Sequence, residues 1–177
     1  LRATLAAFSR VAAEAPDTAL VVVGPDGWGE SNVEELARAA GIAHRVVAVG
    51  KVPDEHLVLF YRAGLALVYP SLYEGFGLPP LEAMQSGCPV ISSNAASLPE
   101  VVGEAALLVA PDDIEGIASA MSRLAREPHV CNSLREGGLQ RARLFSWKRT
   151  ADATLAGYER ALARPGRVAE PSVESLL

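Results

Sequence analysis

Apolar residues along this chain alternate between two spacings. Leu5, Phe8, Val11 and Ala12 recur at helical intervals, and residues 19–24 then form an unbroken apolar run that closes on the turn glycine Gly24. The pair repeats. A helix is predicted over 33–40, ended by Gly41, then a strand over 45–49, a helix over 55–62 and a strand over 65–69. A helix over 81–86, opened by Pro79 and Pro80 and stopped by Gly87, precedes a strand at 89–92, a short turn or helix at 98–102 and a strand at 106–109. The strand runs are continuous in Val, Ile and Leu instead of alternating, which predicts strands covered on both faces. A parallel sheet with helices on each side, a doubly wound α/β fold, is the expected class.

Beyond Pro111 only helical spacing remains. Asp112 is the expected N-cap, with Glu115 three residues on, of a helix whose Ile114, Ile117, Met121 and Leu124 face the sheet. A helix over 130–144 follows, its continuity put in question by Gly137 and Gly138. Ser146 is expected to cap a last helix with Trp147, Ala151, Leu155, Tyr158 and Leu162 on one face, and residues 164–177 read as a loose tail.

Composition narrows the function classes. With 177 residues, half of them hydrophobic, one substantial core and one domain are expected. A net charge of −5 with scattered Lys and Arg argues against nucleic acid and against a polybasic membrane patch. No apolar stretch approaches the roughly 20 residues of a membrane helix, and no signal peptide precedes the first helix, so a soluble, cytoplasmic protein is expected. Cys88 and Cys131 are expected as buried thiols. His44, His56 and His129 stand apart from any carboxylate or cysteine cluster at ligand spacing, so no metal site is expected.

The chemistry concentrates between Glu74 and Glu82. Gly75 and Gly77 sit between a strand end and a helix start, where free N–H groups and the positive end of the helix dipole attract phosphate. Glu74 stands at the mouth of that loop and Glu82 a turn inside the helix, and carboxylates accept hydrogen bonds from vicinal hydroxyls. Taken singly, these residues have ordinary roles: a turn cap, two turn-shaping glycines, a solvated helix glutamate. Anion-binding amides flanked by two carboxylates together suit a diphosphate with a sugar at each end. Gly24 opens a second glycine turn, running to Gly29 and containing Trp28, that is equally readable as a structural turn. Asp54 is readable as the N-cap of the helix beginning at Glu55.

This stretch resembles family 4 of the retaining glycosyltransferases with the GT-B fold, whose marker is a glutamate, seven residues and another glutamate within E-G-F-G-L-P-x-L-E-A-M; residues 74–84 match it throughout. Blocks at 50–54, 69–73, 87–91, 97–101 and 145–147 resemble family blocks in family order, so the resemblance covers residues 1–163. The block at 24–29 is similar to a bacterial subgroup rich in mannosyltransferases. The resemblance implies a Rossmann-like donor domain, the C-terminal half of a GT-B enzyme, that moves a hexose from a nucleotide-diphosphate sugar to an acceptor with retention of configuration. It implies that Glu74 is the catalytic candidate and contacts donor-sugar hydroxyls, that the amides of Gly75, Phe76, Gly77 and Leu78 hold the distal phosphate, and that Glu82 takes the ribose hydroxyls. Lys51, Val52 and Asp54 would lie beside the nucleobase, with Gly24 also at the donor.

GDP-mannose is expected ahead of UDP-glucose, with no cofactor. A covalent role for Glu74, as in retaining hydrolases, is the alternative to departure from the sugar's front face. The resemblance also implies a first strand and a basic segment upstream of the first helix, absent from residues 1–177, whose cations Lys51 or Arg62 would have to replace. The expected partner is the protein's own N-terminal acceptor domain, through which alone any peripheral membrane contact would pass; without it the chain is expected to be inactive. A GT-B sugar-nucleotide epimerase and a non-catalytic sugar-nucleotide-binding module are the alternative functions.

Overall fold

Each apolar run forms a strand, and every ladder between the described strands is parallel. The computed structural model describes residues 1–25 and 32–163. The strands are β1 (Leu20–Val23), β2 (Val46–Gly50), β3 (Leu67–Tyr69), β4 (Val90–Ser93) and β5 (Leu107–Val109). The helices are α1 (Arg2–Val11), α2 (Val33–Ala39), α3 (Asp54–Ala63), α4 (Leu78–Gln85), α5 (Leu98–Val102), α6 (Ile114–Arg126), α7 (Pro128–Ala142) and α8 (Trp147–Leu162). β1 pairs with β2, Leu20 opposite Val46, and β3, β4 and β5 pair in that order, Val68 opposite Ile91 and Ile91 opposite Leu107. Residues Leu1–Arg143 form one compact unit and a second begins at Leu144.

β4 is the covered centre. All four of its residues are buried, and strand alternation sends Val90 and Ile91 to opposite faces. Ile91 joins a core with Leu5, Phe8 and Val11 of α1 and Ile117, Met121 and Leu124 of α6. α4 and α5 pack on β4 as well, burying Leu81, Met84, Leu98 and Val102. Each fully buried large side chain in these cores contributes about 1.5–3 kcal/mol. The two-sided cover expected of every strand fails at β1 and β2, where Val21 is 44% and Val47 52% exposed. Leu20 and Val46 pack against the same core as Ile91, so one face of this ladder is covered and the face of Val21 and Val47 is open.

Between the two ladders runs an apolar groove of about 970 Å³. Residues 19–23 and 65–69 all line it. Successive residues of a strand point to opposite faces, so a cavity touching all of them touches a strand's edge. Gly24 N–H bonds Gly50 O and Leu67 N–H bonds Pro89 O, each at 2.9 Å, so alternation turns the backbone of Val23 and Val68 toward the groove. Among the described residues neither edge pairs with a further strand.

Three local expectations are corrected. Asp113, not Asp112, caps α6, accepting from Gly116 N–H at 2.9 Å, because a turn closed by Asp113 N–H on Ala110 O delays the helix by one residue. Asp54 is the first residue of α3 and not its cap; the Pro53 carbonyl already accepts from His56 and Leu57, so the helix starts earlier. α7 runs unbroken through Gly137 and Gly138, packed on α4, where a Cβ on Gly138 would press on Met84 Cγ at 3.1 Å and one on Gly137 would make ordinary contact with Ala105 at 3.6 Å.

Cys88 and Cys131 are free and buried, and burial pushes the Cys88 thiol up to about 11. Ser146 caps α8 by accepting from Arg149 N–H at 3.2 Å, and no residue of that helix is buried. Among the described residues no helix is long and apolar enough to cross a membrane. The predicted tail at 164–177 and the glycine block from Asp26 to Gly29, with Trp28, lie outside the described residues.

Candidate functional site

Pro70 ends β3, and the turn that follows is held from below by two serines leaving β4. Ser93 Oγ donates to Ser71 O at 2.6 Å, and Ser97 Oγ lies 2.9 Å from both Glu74 O and Phe76 O. Gly77 closes the turn at φ +111, and a Cβ there would stand 2.6 Å from Leu98 Cδ2, so backbone and space each require glycine. α4 begins at Leu78 with both prolines in its first turn. They remove two N–H groups, leaving the Leu78 amide and those of the preceding loop as the donors at this end.

Both carboxylates are half-buried and held by hydroxyls. Glu74 Oε1 accepts from Tyr69 OH at 2.6 Å and from Ser71 Oγ at 2.9 Å, and Glu82 Oε2 accepts from Tyr61 OH at 3.2 Å. Burial, then the neighbouring carboxylates, raise both phenols well above the ordinary tyrosine range: Glu82 acts on Tyr61, and Glu74 followed by Glu82 acts on Tyr69. Both therefore remain protonated donors at neutral pH. Tyr61, Tyr69, Ser71 and Glu82 all line the same groove, which brings the two glutamates and their holders into one cluster.

The predicted residues divide. Gly24, Lys51 and Val52 line the groove together with Ser71 and Glu82, at the ends where β1, β2 and β3 leave the sheet. Open parallel sheets bind ligands at that edge. The loop from Glu74 to Leu78 joins this mouth through Ser71, with Phe76 and Leu78 exposed. Asp54 and Arg62 are exposed on α3 and are not part of the groove wall; of the two proposed substitute cations, Lys51 is the one at the mouth. Sequence reasoning gave no role to Tyr61, Tyr69, Ser71 or Ser97. The available signal was a hydroxyl two residues before a turn and another at core spacing on α3. Among the described residues no group of three His, Cys, Asp or Glu side chains could hold a metal ion.

A family profile described as Glycosyl transferases group 1 matches residues 2–141, from the first helix almost to the end of α7. The chain belongs to this family. As a group 1 glycosyltransferase domain it is similar to O-antigen chain mannosyltransferase B of Escherichia coli, 38% identical over 140 residues that make 79% of this chain and 37% of that protein. It is 40% identical over 144 residues to MMP alpha-(1->4)-mannosyltransferase of Mycolicibacterium hassiacum, covering 79% of this chain and 34% of that protein. Among solved structures, sucrose-phosphate synthase of Thermosynechococcus elongatus superposes with a TM-score of 0.75 at 31% identity, covering 92% of this chain and 43% of that one. The chain thus spans about a third of the length of the curated relatives it matches.

Proposed function

We propose that this group 1 domain is the donor half of a retaining glycosyltransferase, binding a nucleotide-diphosphate sugar across the C-terminal edge of its sheet. One observation carries the reading: two hydroxyl-held carboxylates, Glu74 and Glu82, flank a glycine loop that runs into a proline-opened helix. Glu82 takes the ribose hydroxyls, the amides of the Gly75–Leu78 segment take the distal phosphate, and Glu74 takes hydroxyls of the sugar. As the glycosidic bond breaks, negative charge grows on the departing diphosphate, and the loop amides with the N-terminus of α4 stabilise it. Lys51 at the groove mouth adds a cation on the β2 side. Mannose is proposed as the sugar, in line with the names of the two mannosyltransferase relatives, and GDP-mannose is proposed ahead of UDP-glucose as the donor. In this reading an acceptor domain elsewhere in the protein supplies the rest of the catalytic cleft, and a strand upstream of α1 completes the sheet.

The test separates the two glutamates in the full-length protein. Glu82→Ala should weaken free GDP by about 1.5–3 kcal/mol, the worth of a hydrogen bond to a charged group, with folding intact. Glu74→Ala should leave GDP affinity alone and lower mannosyl transfer. Unchanged GDP binding in the first variant, or equal weakening of GDP in the second, would overturn these roles.

A further inference from the structure

We infer that Tyr69, assisted by Ser71, and Tyr61 are positioning residues that fix the direction in which each glutamate offers its other oxygen. The inference rests on the donor-site reading above. A carboxylate has two equivalent oxygens on a side chain with three rotatable bonds, and ordering such a side chain when ligand arrives weakens binding roughly 2- to 13-fold. Here the ordering is present beforehand. Glu74 Oε1 accepts from both Tyr69 OH at 2.6 Å and Ser71 Oγ at 2.9 Å, and Glu82 Oε2 accepts from Tyr61 OH at 3.2 Å while keeping one lone pair. The other oxygen of each, now aimed, is offered to hydroxyls of the donor.

Tyr69 dominates the Glu74 contact. Ser71 has one proton to donate, and its Oγ also lies 3.2 Å from Tyr73 O, whereas the tyrosine contact is shorter and undivided. The holders sit on rigid elements. Tyr69 ends β3, Tyr61 is buried in α3, and the Ser71 carbonyl is tied to Ser93 on β4. The Glu74 main chain is fixed separately by Ser97, so Tyr69 acts on the side chain alone. Each tyrosine should therefore control one end of the ligand, Tyr69 the sugar through Glu74 and Tyr61 the nucleotide through Glu82.

A double-mutant cycle in the full-length protein tests this, with GDP and GDP-mannose as probes. Tyr69→Phe should lower kcat/KM for GDP-mannose about tenfold, as loss of a hydrogen bond to a charged group does, with GDP affinity within twofold of the parent. Tyr61→Phe should weaken GDP itself several-fold. In the Glu74→Ala background, Tyr69→Phe should change kcat/KM by less than about twofold, since nothing remains to be positioned. Losses that multiply would show that Tyr69 acts independently of Glu74 and would overturn the inference. Ser71→Ala should give a smaller loss than Tyr69→Phe, and a larger one would contradict the ranking. If Glu74→Ala alone leaves transfer intact, the donor-site reading fails. If Glu74→Ala abolishes transfer while Tyr69→Phe is inert, the positioning role alone falls.

Discussion

Replacing Gly77 by alanine puts a methyl group where the structure has neither room nor a suitable backbone. At φ +111 the residue lies in territory that costs an L-amino acid about 1–2 kcal/mol. The new Cβ would meet Leu98 Cδ2 at 2.6 Å, inside the ordinary contact of two carbons. Leu98 cannot yield cheaply, because it is fully buried in the core that α4 and α5 share. Overpacking of that kind adds about 1–3 kcal/mol. The two terms give roughly 2–5 kcal/mol for Gly77→Ala. Gly75 supplies the control: nothing lies within 4 Å of its added Cβ and its φ is not positive, so Gly75→Ala should stay within about 0.5 kcal/mol. Urea denaturation followed by circular dichroism measures both. Leu98→Ala alone should cost about 2–5 kcal/mol as a cavity mutation, yet less in the Gly77→Ala background, where it also relieves the clash. Equal stabilities for Gly75→Ala and Gly77→Ala would refute the claim that Leu98 pins this turn.

Alkaline pH supplies a second prediction. Tyr61 and Tyr69 hold their protons in the folded state above the ordinary value near 10, so their contribution is whole below pH 10 and is lost as pH rises beyond it. Cys88 acts in the same direction from about pH 9. Stability should fall by up to about 1.4 kcal/mol per pH unit for the buried Tyr61 and by less for the half-buried Tyr69, and Tyr61→Phe should flatten the slope. A urea midpoint unchanged between pH 9 and 11.5 would count against it. The unpaired edges of β1 and β3 supply a third: residues 1–177 alone should self-associate with concentration, and a valine-rich strand of about five residues joined ahead of Leu1 should restore a monomer. Light scattering from a clean monomer at high concentration would contradict this.

Periodicity was enough to place the strands and helices, because apolar spacing is a local property that the tertiary fold here left in force. The motif helix is an example, with Pro79 and Pro80 in its first turn and Gly87 just past its end at φ +76. Caps were harder. Asp112 and Asp113 are both plausible acceptors, and the turn from Ala110 that chooses between them lies outside the helical pattern. The glutamates stood out through their motif, but their holders did not. Tyr61 and Tyr69 come from α3 and β3, and only tertiary packing sets a phenol beside a carboxylate 21 residues away, as for Tyr61 and Glu82. The bare faces of Val21 and Val47 were hidden for the same reason, since an apolar run is identical whether or not something covers it.

The groove between the two ladders also has a mechanical meaning. Gly24 and Lys51 stand on the β1–β2 bank of the mouth, Ser71 and Glu82 on the β3–α4 bank, and no hydrogen-bonded ladder among the described residues crosses from one to the other. The banks are joined by α3, which follows β2 and lies on α4 with Tyr61 OH on Glu82, and by α1 lying on α6, reinforced by the Arg10–Glu115 ion pair and by Glu14 with Arg126 at 2.5 Å. Both pairs are exposed, each worth at most about 1 kcal/mol and screened by salt. The spacing of the two banks then depends in part on the apolar α1–α6 contact, whose Phe8, Met121 and Leu124 line the groove itself. Phe8, buried in that contact, becomes a gauge for the aperture.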